Sequence, residues 1–288
     1  MRAPSMARRA GAAALAAIAA LTTVTLATPA WAGRSCQARR LDAQAIERGM
    51  ALASQTAAAF DASGAQVLLL ARAGQDLTRY GLRWSHMGWA WRTPDGHWRV
   101  THKLNDCGSA QGHLWRQGLG EFFLDDPWRY EAVWAVPSPA LQAGLAALLH
   151  SQADSRRLQH VPYSMVSYAW GLRYQQSNQW AIETLAAALQ PQAVHGRAQA
   201  QQWLRAQGYQ PGRLTLGPLT RLGAQLSQAN LAFDDHPMAQ RLAGQIDTVT
   251  VDSVLAWLQQ TGGVQTVQVV RLNAEMAISP RLSMGNSY

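Results

Sequence analysis

Apolar residues recur at helical spacing from Asp42 to Ala62, with Ile46, Met50, Leu52 and Ala53 on one face and Asp42 placed to cap the first turn. Gln66–Ala71 is a short apolar run of strand type, closed by a polar turn at Gly74-Gln75-Asp76. Leu82–Arg92 and His97–Leu104 flank Thr93-Pro94-Asp95-Gly96, a strong turn signal, and the second run alternates Trp98, Val100, His102 and Leu104 with polar neighbours. This predicts an antiparallel hairpin over Leu82–Leu104. Asn105–Gly112 reads as a loop, and Glu121–Pro127 leads into a further strand at Tyr130–Val136. Helices are expected at Pro139–His150, Ser177–Leu189, Arg197–Ala206, Leu219–Asn230 and Asp252–Gln260. Ser151–Pro162 reads as a loop and Val264–Leu272 as a last strand. Helices and strands do not alternate regularly, so the pattern predicts an α+β fold in which an antiparallel sheet packs against helices.

The first 32 residues have a different pattern. Arg8 and Arg9 precede the apolar stretch Ala10–Ala27, and Ala30-Trp31-Ala32 has the small-x-small form of a cleavage site. This predicts an export signal over residues 1–32 and one α+β domain over 33–288, periplasmic or secreted. The competing reading is a membrane anchor. The stretch is barely long enough to span and no comparable segment follows, so the processed chain is not expected to be integral to a membrane.

Composition then changes less than it first suggests. The 288 residues carry 25 Lys+Arg against 17 Asp+Glu, a formal net charge of +8. Three of those cations (Arg2, Arg8, Arg9) lie in the signal, which has no acid, so 22 against 17 leaves +5. Basic runs are absent and Lys103 is the sole lysine, which argues against nucleic acid as a partner. With 48% hydrophobic and 15% charged residues, the chain is neither disordered nor fibrous. Cys36 and Cys107 are an even pair in an expected oxidising compartment and are read as a disulfide, closing a loop of about 70 residues worth roughly 4 kcal/mol. Cys107 as a reactive thiol is the alternative, and its neighbour Asp106 would raise the thiol pKa.

The chemistry that stands out is histidine. His86 lies in Ser85-His86-Met87-Gly88, and His102 follows 16 residues later on the paired strand, nearly opposite across the expected turn. Two histidines on one hairpin face suit a base and its orienting partner, or two metal ligands; the plainer reading is aromatic packing in a Trp-rich sheet. Trp84, Trp89, Trp91 and Trp98 either floor a groove or pack a core. Asp234-Asp235-His236 is read as a capped turn before Pro237 rather than a cation site, and Asp125-Asp126-Pro127 as a turn. No phosphate loop, dinucleotide fingerprint or nucleophile elbow is present, and neither metal nor cofactor is expected.

The order of Ser85-His86-Met87-Gly88, then His102, then a helix opening at Ser177-Asn178-Gln179-Trp180 resembles the circularly permuted branch of the NlpC-type papain-like superfamily. The resemblance spans about 100 residues, Trp84–Leu189. It implies His86 as base, His102 as orienter and a nucleophile at the start of the 177 helix. The family's cysteine is replaced here by Ser177, whose ordinary role at a helix start is an N-cap. Over nearly its whole length after the signal, the chain is also similar to a secreted bacterial family of unknown function numbered 2145. Gly33-Arg34-Ser35-Cys36, Leu70–Leu77, Tyr80–Arg83, Asn105–Gly108, Gly118–Pro127 and Phe233–Pro237 carry that likeness. That likeness says almost nothing of activity; the papain-like resemblance implies a hydrolase or acyltransferase acting on an amide or ester of the cell envelope. The alternative is an inactive papain-like module that binds an envelope peptide, glycan or lipid, or serves a structural role there. Nothing in the pattern sets an oligomeric state.

Overall fold

The computed structural model describes residues 41–125, 127–217 and 230–272. The expected signal (1–32), Cys36, Asp126 and nearly all of the helix expected at Leu219–Asn230 lie outside them. Among the described residues eight α-helices and a six-stranded sheet are present, the α+β architecture expected. In chain order the elements are α1 (Ala43–Ser63), β1 (Val67–Arg72), β2 (His86–Arg92), β3 (Trp98–Asn105), β4 (Gly112–Gly118), α2 (Leu119–Leu124), β5 (Glu131–Pro137), α3 (Pro139–His150) and α4 (Gln152–Arg156). They continue with α5 (Ser177–Leu189), α6 (Arg197–Ala206), β6 (Gly212–Thr215), α7 (Met238–Ala243), β7 (Gln245–Thr248), α8 (Val251–Gln260) and β8 (Val264–Arg271).

The main sheet runs β4-β3-β2-β1-β5-β8 and is antiparallel at every pairing; β6 and β7 form a small separate ribbon. Both faces of the sheet are covered. Val67, Leu69, Met87, Trp89, Trp91 and Val133 face α3, α5, α6 and α8. Leu68, Leu70, Ala90, Val100, Ala132 and Trp134 face α1 and α2. That two-sided cover explains why Val67–Arg72 is continuously apolar instead of alternating: every position of β1 is buried. α5 is buried over Ser177–Ala188, an interior helix with no solvent face. Trp89 bridges the layers, its Nε1 donating to the Ala181 carbonyl of α5 at 3.0 Å.

Four expectations need correction. Leu82–Ser85 is not strand; β2 begins at His86. Glu121–Leu124 belongs to α2 rather than to a lead-in. The loop expected at Ser151–Pro162 contains α4. The fourth strand, β4, follows the loop at Asn105 and pairs with β3 along its length, from Asn105↔Gly112 to Arg99↔Gly118.

Candidate active site

β2 and β3 pair only from Trp89↔Thr101 to Arg92↔Trp98, while β3 continues along β4 to Asn105. The ladder therefore ends three residues after His86, and the start of α5 closes the gap. Asn178 accepts from the Met87 N–H at 3.0 Å and donates to the Ser85 carbonyl at 3.4 Å, so one side chain holds the backbone on both sides of His86.

The histidine pair meets at this opening. Extending the ladder register sets Gly88, not His86, opposite His102, so the two histidines are diagonal partners rather than facing ones. Gly88 makes this possible: a Cβ there would lie 2.8 Å from both the His102 Cβ and the Thr101 carbonyl oxygen. His86 Nε2 lies 2.8 Å from His102 Nδ1, and His102 Nε2 lies 2.8 Å from Gln117 Oε1. A carboxamide oxygen only accepts, so His102 carries its proton on Nε2. Its Nδ1 then accepts from the Nε2–H of His86, which leaves Nδ1 of a neutral His86 as the basic nitrogen. Burial, reinforced by the nearby charge of Arg72, pushes the His102 pKa down to about 3, against the opposing bond to Gln117. His102 is thus a fixed neutral relay. The Phe122 ring packs edge-on against it at 5.2 Å, and Arg72 lies over the same ring while pairing with Asp125.

Ser177 is the first helical residue of α5, not its cap. Gln176 caps the helix, its side chain accepting from the Asn178 N–H at 2.9 Å. The Ser177 hydroxyl lies 3.3 Å from that of Tyr163, whose pKa burial raises, so Tyr163 stays a neutral phenol. No hydrogen bond joins Ser177 to His86. Both nevertheless line one cleft of about 690 Å³, together with Arg72, Tyr163, Asn178 and Asn230. A helix N-terminus at a cleft wall favours negative charge developing there.

The remaining candidates fall elsewhere. Trp84 reaches the cleft, whereas Trp89, Trp91 and Trp98 are core residues. Asp235 accepts from the Tyr168 N–H at 2.8 Å and from His236 at 3.0 Å, and Asp234 pairs with Arg173, which is a clamped turn. Asp125, read as part of a turn, is the ion-pair partner of Arg72. No group of three or more His, Cys, Asp or Glu residues that would hold a metal occurs among the described residues. Gln117, Asn178, Tyr163 and Asn230 escaped the sequence reading. Gln117 lies on the unforeseen β4, and the others are single polar residues whose spacing carries no period.

The profile of the family described as "Uncharacterized protein conserved in bacteria (DUF2145)" matches residues 59–258. The chain belongs to DUF2145. No curated protein and no solved structure matches it. The DUF2145 match begins near the end of α1, closes within α8 and takes in the histidine relay, Ser177 and the cleft. No helix among the described residues is long and apolar enough to cross a membrane.

Proposed function

We propose that the chain is an exported hydrolase or acyltransferase of papain-like ancestry that acts on an amide or ester of the bacterial cell envelope. The single observation that carries this reading is the His86–His102–Gln117 relay, with His86 and Ser177 on the walls of one cleft. His86 is the base, His102 orients it, and Ser177 at the start of α5 is the nucleophile. That Gln176 rather than Ser177 caps α5 supports the reading, because it leaves the hydroxyl without a capping duty. Export by the 1–32 signal belongs to the same proposal, and so does a Cys36–Cys107 bridge; no free cysteine occurs among the described residues.

A fluorophosphonate probe tests the chemistry. It should label the wild type at Ser177, and label neither Ser177→Ala nor His86→Ala. Equal labelling of Ser177→Ala would remove Ser177 from the mechanism. A second reading, an inactive envelope-binding module, draws on the Ser177–Tyr163 contact and on the lack of a bond from Ser177 to His86. It predicts no labelling of any form, with ligand binding retained in His86→Ala.

A further inference from the structure

Asn230 lines the cleft, is 1% exposed, and has no hydrogen-bond partner on either Nδ2 or Oδ1. No other buried side chain among the described residues leaves both ends of a carboxamide unpaired. Burying such a group without partners is unfavourable, and native structures seldom do so without a use for it. Its backbone is well held. The Asn230 carbonyl accepts from the Met165 N–H at 2.8 Å, and two residues on, Ala232 exchanges bonds with the Ser164 hydroxyl at 2.9 and 3.1 Å. The position is fixed, and only the amide group is unspent.

We infer that Asn230 is the residue that reads the main chain of an extended peptide in the cleft. This deepens the proposed function and rests on it: the substrate class becomes a peptide. A carboxamide presents a donor and an acceptor side by side. A residue in extended conformation does the same, since its N–H and C=O point to one side, as in the hydrogen-bonded pairs of an antiparallel ladder. The two match in a bidentate contact, the side-chain counterpart of strand addition. An acetamido group of a sugar is a trans amide whose N–H and C=O diverge, so it satisfies one half of Asn230 at a time. Leu214, Leu216 and Phe233 add apolar wall for the peptide's side chains. The N-terminus of α5 faces the same space.

The test uses acetyl-trialanine N-methylamide and the three ester analogues that each replace one alanine N–H by oxygen, titrated calorimetrically into the full chain. The wild type should lose about tenfold in affinity for one of the three esters, the loss expected for one neutral hydrogen bond. Asn230→Leu should weaken the parent peptide by a similar factor and remove the difference between parent and ester. Asn230→Asp keeps the acceptor, so it should keep the discrimination at the same ester. Undiminished parent binding by Asn230→Leu, or an unchanged ester profile in it, overturns the inference. So does binding of N-acetylglucosamine in place of the peptide, or no peptide binding by the wild type. Fluorophosphonate labelling of Ser177 is read independently, so the catalytic reading and the Asn230 role fail separately.

Discussion

At the scale of single residues, the site depends on what is missing at position 88. Gly88→Ala would press a methyl group into the His102 Cβ and the Thr101 carbonyl at 2.8 Å, and the backbone oxygen has nowhere to move. Overpacking of this kind costs about 1–3 kcal/mol. The variant should unfold at lower denaturant with an unchanged m-value, and the ring resonances of His86 and His102 should shift in its NMR spectrum because the relay is displaced. His102 sets a second expectation. Its folded pKa of about 3 lies below the ordinary value of 6.5. The unfolded chain therefore binds the extra proton between pH 6.5 and 3. This contribution to stability is full above pH 6.5 and is lost as the pH falls toward 3. With about 1.36 kcal/mol per pKa unit, the loss is on the order of a few kcal/mol. His102→Gln has no such proton, so its stability should fall less steeply than the wild type's over that window, as measured by urea unfolding at a series of pH values. The histidines were readable from the sequence as a pair, since turn position and strand alternation place them on one face. Their diagonal contact was not, because the end of the ladder depends on Asn178, a residue about 90 positions later.

The elements show the same division. α5 starts and stops where the sequence predicts. α1 forms where expected, but of its expected apolar face only Leu52 and Ala53 are buried, while Ile46 and Met50 are exposed and Gly49, Thr56 and Phe60 take the buried positions. β4 was hidden for a physical reason. It is an edge strand with one fully buried residue and an exposed Trp115, so no alternation marks Gly112–Gly118; its pairing with β3 defines it. α5 is held by a buried polar network that no periodicity announces. Glu183 accepts from Arg197 Nε at 2.9 Å, Gln201 Nε2 at 2.7 Å and Gln175 Nε2 at 2.6 Å, and Gln175 in turn accepts from Lys103 Nζ at 3.0 Å. Glu183→Leu would leave the nearly buried Arg197 without its partner, which typically costs about 3–5 kcal/mol. A melting-temperature drop no larger than that of an exposed Glu47→Leu control would contradict this. Lys103 gives the network a pH signature. Burial, with the Arg197 charge adding to it, lowers the amine to about 7, whereas the unfolded side chain titrates at 10.5. The unfolded state binds more protons between these values, so the stability penalty is full below pH 7 and fades as pH rises to 10.5. The stability difference between Lys103→Met and the wild type should shift in favour of the wild type across that window, by chemical denaturation at each pH.

At the scale of the whole molecule, the two halves of the candidate site belong to different layers. His86, His102 and Phe122 lie on the sheet face covered by α1 and α2, while α5 packs against the opposite face. A six-stranded sheet ordinarily keeps such faces apart. Here β2 and β3 stop pairing after Trp89↔Thr101, and Asn178 fills the opening, so the start of α5 comes level with the strand that carries His86. That an antiparallel sheet packs against helices was legible from the sequence, whereas the opening was not, because it is a property of the register. A substituted thiol tests whether this geometry couples the layers chemically. A cysteine at position 177 would sit at the positive end of a 13-residue helix and beside a cleft shared with the base nitrogen of His86. Both effects favour the thiolate, so its pKa should fall well below the ordinary value of about 8.5. Ser177→Cys should therefore react with iodoacetamide at pH 6.5 at least tenfold faster than an exposed control cysteine. His86→Ala in the same background should remove most of that advantage and leave the smaller contribution of the helix. A thiol that reacts no faster than the control, or one indifferent to His86→Ala, would mean that the layers meet without acting together.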